Sequence, residues 1–145
     1  MSFTRDLLTG ALPPGIYRAD EVDVDLVAIE AAGWKDLWLE SQHVGSESEL
    51  FDMMRRAAAL PAWFGGNFDG LTDCLCDLSW FEARGWLVQL VRPGAAAVDG
   101  EWWDSLLEVL REAVDWWAET DTPMVVLVRW PEWSAALNAA VSPLP

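Results

Sequence analysis

The chain has 145 residues, 52% of them apolar, which is enough for one packed core and excludes wholesale disorder. Twenty-four Asp and Glu against nine Lys and Arg give a formal net charge of −15. That charge repels phosphate backbones and anionic membrane surfaces, so nucleic-acid and membrane binding are disfavoured and a basic partner is favoured. No apolar run reaches the roughly 18 residues needed to cross a bilayer. The first ten residues, MSFTRDLLTG, carry Arg5 and Asp6 and lack the apolar stretch of a secretory signal.

Along the chain, 1–15 reads as an irregular lead ending in Pro13-Pro14-Gly15, and 15–19 as a short strand. Residues 22–32 look helical in their second half, with Gly33 as a C-cap. The stretch 34–40, WKDLWLE, alternates as a strand does. Ser46 and Glu49 have capping-box spacing, and Leu50, Met53, Met54, Ala57 and Ala58 give the next helix one apolar face, ending near Leu60. Pro61 opens a loop, 61–66, that carries Trp63 and Phe64.

Asn67 is a natural N-cap for a helix predicted over 68–79, with Phe68, Leu71, Leu75 and Leu78 at helical spacing. A buried strand follows at 86–92, then a loop at 94–100. The longest helix is predicted over 101–119, with Leu106, Leu107, Leu110, Ala113, Val114 and Trp117 inward. The β-branched run 123–130 reads as a central strand, and 131–141 as a short final helix. Strands separated by helices argue for an α/β fold with a small parallel sheet. The whole of 1–145 reads as one domain. Its first 33 residues form a strand–helix extension, too small to bury a core of their own.

Little in the chain supports catalysis. His43 is the only histidine, Gly65-Gly66 lacks the lysine of a phosphate loop, and no zinc-ligand spacing occurs, so no cofactor or metal is expected. Cys74 and Cys76 would point to nearly opposite sides of a helix, which argues against a disulfide and for a reduced, cytoplasmic protein. Of the eleven Trp, most are expected in the core and some at the surface, where Trp is enriched in interfaces.

One pattern is more specific. Asp69, Asp73 and Asp77 recur every four residues, which on a helix sets them on one face. Either this is a solvated acidic face or it is a stripe that binds cationic groups; a divalent ion would need further oxygen ligands. Trp63, in the glycine-bearing loop just before, suits recognition of Arg, Lys or His on a partner, or else covers the core beneath. The long helix carries a second acidic row, Glu101, Asp104, Glu108, Glu112, Asp115 and Glu119, which reads mainly as solvated surface.

Residues 60–75, LPAWFGGNFDGLTDCL, resemble the signature of the barstar family: Leu-Pro, two aromatics, then Gly-x-Asn-x-Asp-x-Leu-x-Asp-Cys-Leu. The resemblance extends more loosely over 46–130, including Arg111-Glu112-Ala113. It implies three parallel strands flanked by helices, to which the extension can add a fourth, in two or three layers. It also implies an intracellular inhibitor, monomeric when free, that blocks the active site of a basic secreted ribonuclease of the barnase type.

By the same resemblance Asp69 and Asp73 would be the central anionic contacts. Trp63 would stand where the family commonly has Tyr, Gly65 and Asn67 would hold the loop, Glu112 would meet the enzyme at the interface edge, and Cys74 would be structural. Thr72 replaces a Trp of the best-known member, Gly70 replaces Ala, and 76–85 align less cleanly, which bears on Asp77 and Trp80 as contacts. These departures, with the extension, motivate an alternative: a barstar-fold immunity or regulatory protein that binds a different toxin or partner.

Overall fold

Hydrophobic patterning and turn chemistry give ten elements. In the computed structural model, which describes residues 2–18, 22–91, 101–129 and 142–144, they run α1 (Phe3–Thr9), β1 (Gly15–Arg18), α2 (Leu26–Ala31), β2 (Trp34–Leu39), α3 (Glu47–Ala58), α4 (Phe68–Leu75), β3 (Gly85–Leu90), α5 (Trp102–Ala118), β4 (Met124–Val128) and β5 (Ser142–Pro143). The strand order is β2-β3-β4-β1-β5, with every pairing parallel. β1 joins β4 in register from Gly15 opposite Val125 to Arg18 opposite Val128, so the N-terminal extension supplies a fourth strand. β5 adds only two residue pairs outside it.

β3 and β4 are buried along their whole length. That is the pattern of parallel strands covered on both faces, and it explains their continuous apolar sequences. On one face Ile16, Leu37, Leu39, Val88, Val126 and Val128 meet the apolar stripes of α3, α4 and α5. On the other, Tyr17, Leu87, Val125 and Leu127 lie under Leu7 of α1, Leu12 and Ile29 of α2. The architecture is therefore α/β in three layers.

The second face carries a polar inlay. Gln89, buried among these strands, donates from Nε2 to Asp36 Oδ1 (2.6 Å) and accepts from Arg129 Nε and an Arg129 terminal nitrogen (2.9 and 2.7 Å). Arg129 also donates to the Val22 carbonyl (3.0 Å), tying the N-terminal extension to the end of β4. Burial raises the Asp36 carboxyl pKa, although the Gln89 hydrogen bond and the charges of Arg129 and Lys35 pull the other way.

Two expectations change. The irregular lead holds a helix, α1: the Ser2 hydroxyl accepts from the Arg5 N–H (3.2 Å), Gly10 closes the end, and Leu7 docks into the second core. Tertiary burial sustains seven residues that would not be helical alone. The helix predicted over 68–79 stops at Leu75, because the chain turns through Cys76 and Leu78 adopts a left-handed φ of 49°. The loop at 94–100 and the helix at 131–141 lie outside the described residues. The Ser46 cap is present as half a box, with Ser46 Oγ accepting from the Glu49 N–H (3.2 Å), and Phe51 joins the buried face of α3.

Candidate functional site

The loop at 61–66 is pinned from beneath. The Phe64 N–H donates to the Pro61 carbonyl (3.0 Å), and its buried ring meets the edge of Phe51 at 5.8 Å between centroids. The Arg55 guanidinium lies 5.0 Å from the centre of the Phe64 ring, on the loop's α3 side. Gly66 has φ 73°, a left-handed turn that a side chain would strain, and a Cβ there would also press on Arg55. With Phe64 turned in, Trp63 is turned out and is 61% exposed.

Asn67 then starts α4, its Oδ1 accepting from the Gly70 N–H (2.6 Å). Leu71, Cys74 and Leu75 face the core. Asp69 and Asp73 therefore face out, with partly buried Thr72 beside Asp73; the Thr72 hydroxyl is engaged by the Phe68 carbonyl (3.1 Å). Asp69 also sits in the first turn, where the helix dipole favours negative charge.

α5 packs alongside α4 in the same direction, and its acidic row supplies the opposite wall. Phe68, Asp69, Thr72 and Asp73 face Ser105, Glu108, Val109 and Glu112 across an open groove of about 370 Å³. Among the described residues four carboxylates line it and no basic side chain does. Such a groove attracts cations, and its mutual repulsion is relieved when a basic surface covers it. The thiols beneath register the same field. The Cys76 pKa is raised by burial and then by the carboxylates of Glu112 and Asp73, and the Cys74 pKa by burial and then by Asp73 and Asp77. Both cysteines are free.

Of the residues singled out in the sequence, Asp69, Thr72, Asp73 and Glu112 share this groove. Trp63, Gly65 and Asn67 sit in the loop and cap that lead into it; Gly65 lines a separate shallow cavity with Arg55 and Gly66. Asp77 does not continue the α4 row. It lies in the turn after the helix, where its N–H donates to the Cys74 carbonyl (3.1 Å), and it is exposed outside the groove lining. Trp80 is committed to the core side, its indole N–H donating to the Ala58 carbonyl (2.9 Å). Glu108 is a groove residue that the sequence reading left on a solvated face, and Ser105 is one that it did not single out. The signal for Glu108 was its spacing of four from Glu112.

His43 lies apart, in a small cavity with Glu40, Val44, Glu49, Asp52 and Arg56. Among the described residues no three His, Cys, Asp or Glu side chains are grouped to hold a metal ion, and no helix is long and apolar enough to cross a membrane.

A comparison with curated proteins finds no match. The family described as Barstar (barnase inhibitor) matches residues 34–129, starting earlier than the loose resemblance over 46–130. The matched span runs from β2 through β4 and contains both walls of the groove, while α1, β1 and α2 lie outside it. On a match covering about two thirds of its length, the chain belongs to the barstar family, a family of inhibitors.

Proposed function

We propose that this chain inhibits a basic, barnase-type ribonuclease by laying the groove between α4 and α5 over the enzyme's active site. The observation that carries the reading is the four-carboxylate groove, with no basic residue in its lining among the described residues. A ribonuclease site is built to hold phosphates, so a rigid set of carboxylates competes for the same cationic groups. Asp69 and Asp73 take the central places and Glu112 the edge. Trp63 offers an aromatic surface at the loop end, Gly65 and Asn67 hold that loop, Thr72 lies on the groove floor, and Asp77 contributes charge from the rim. The protein acts as one unit in the cytoplasm, without cofactor and without catalysis of its own.

Thr72 favours a second reading. With its hydroxyl engaged by Phe68, it leaves the groove floor open, which suits a basic toxin other than barnase that reaches between the helices.

The test is the affinity of Asp73→Ala for a barnase-type ribonuclease. Truncating one partner of an interfacial charge pair costs about 2–5 kcal/mol, a range taken from ribonuclease–inhibitor interfaces of this family. A loss of that size is expected. An affinity equal to that of the parent chain would remove the groove from the interface.

A further inference from the structure

Among the described residues five large apolar side chains stand exposed: Leu26, Val27, Trp38, Trp63 and Trp116. The first three lie on α2 and β2. Trp38 alternates with the core-facing Leu37 and Leu39, so it points to the far face of the sheet. The remaining two are tryptophans, one before α4 and the other near the end of α5, neither of them in the groove lining. Trp63 precedes the start of α4. Trp116, 49% exposed, follows Glu108 and Glu112 at steps of four in one unbroken helix, so it prolongs the row that forms the α5 wall.

The placement of Trp116 is fixed by its neighbour. The Trp117 indole N–H donates to the carbonyl of Leu75, the last residue of α4 (2.7 Å), and the Trp117 ring packs against Trp86 at 5.3 Å. Trp116 meets Trp117 edge to face at 4.7 Å and 80°. The end of α5 is thereby locked against the end of α4, and Trp116 is held on a rigid support while half of it remains in solvent. Its surroundings are anionic. Glu112 lies one turn before it and Glu119 just after it, and the last turn of α5 carries no basic residue to offset the negative end of the helix dipole.

We propose that Trp116 is a second aromatic contact of the interface, stacking on an arginine of the basic partner while the neighbouring carboxylates receive its N–H groups. Arginine fits better than lysine, because a planar, weakly hydrated guanidinium can stack and hydrogen-bond at once. The inference rests on the binding reading of the groove given above. It extends the contact surface beyond the groove lining to Trp116 and explains why a costly apolar side chain stands in an acidic row.

Two measurements on the full chain test it. In the first, a hexa-arginine peptide is titrated into the protein while indole N–H resonances are followed by NMR, with Trp116 assigned from Trp116→Phe. The Trp116 resonance is expected to move, more than with hexa-lysine, while that of Trp38 stays in place. A stationary Trp116 resonance, or equal movement of Trp38, would overturn the proposal. In the second, affinities for a barnase-type ribonuclease are compared among variants whose folding is checked by thermal melting. Trp116→Ala is expected to weaken binding roughly tenfold or more, Trp116→Phe less than about threefold, and Trp38→Ala not at all. Unchanged binding by Trp116→Ala alongside weakened binding by Asp73→Ala overturns the Trp116 assignment alone. A parent chain that ignores the ribonuclease counts against the inhibitor reading instead, and the peptide titration then decides Trp116.

Discussion

Asn67 sets where the acidic helix begins, and with it where Asp69 and Asp73 point. Its side-chain oxygen satisfies an otherwise free helix N–H at Gly70. Asn67→Ala is expected to lower stability by about 1 kcal/mol, read as a shift of the urea midpoint. An unchanged midpoint would mean that the cap is dispensable and that packing of Phe68 on Phe51 alone positions the helix. Gly70 belongs to the same account. Alanine there has the better helix propensity by roughly 0.5–1 kcal/mol. Its Cβ, however, would lie 3.1 Å from the capping Asn67 oxygen and 3.5 Å from the Phe64 ring. The cap and the glycine form one arrangement, which the loss of propensity seen in the sequence does not capture.

At this scale the cap and the acidic pair were legible, because each depends on neighbours within a few residues. Asp77 was not. Leu78 is buried, as helical spacing from Leu71 and Leu75 suggests, but the chain reaches that burial through a left-handed turn rather than another helical turn. Periodicity shows which side chains are buried and leaves open the backbone path that buries them.

Among the elements, β2, β3 and β4 were readable from their runs of alternating or continuous apolar residues, and α5 from its stripe. α1 was missed because seven residues show little period, and its burial depends on a core formed by distant strands. The groove was half legible: each acidic row could be read on its own helix, but the side-by-side packing that joins Glu108 and Glu112 to Asp69 and Asp73 is a tertiary fact.

The Asp36–Gln89–Arg129 inlay, which spans β2, β3 and the end of β4, was likewise invisible in the sequence. It makes a pH-dependent prediction. Burial holds the folded-state pKa of Asp36 above its unfolded value. At pH below both values the group is protonated in both states and contributes nothing. As pH rises through the unfolded value and then the raised one, the folded state loses stability relative to the unfolded chain. Asp36→Asn removes that loss and keeps an oxygen to accept from Gln89. Its urea midpoint is expected to equal that of the parent chain in acid and to exceed it at neutral pH. A variant less stable at neutral pH would show that the attraction of Arg129 outweighs the cost of burial.

For the molecule as a whole, charge and architecture point one way. A net charge of −15 provides a long-range field, and the groove between α4 and α5 is where acidic side chains converge on a surface made rigid by the sheet beneath. The N-terminal extension serves the scaffold. β1 covers the side of β4 that would otherwise be an open edge, and Arg129 fastens the chain that follows β1. The most direct test of the central claim is to titrate a barnase-type ribonuclease with this chain and follow RNA cleavage at low and moderate salt. The account predicts that cleavage stops at an equimolar ratio and that association slows as salt rises, because the steering field is screened. Undiminished cleavage in the presence of excess folded chain would contradict it.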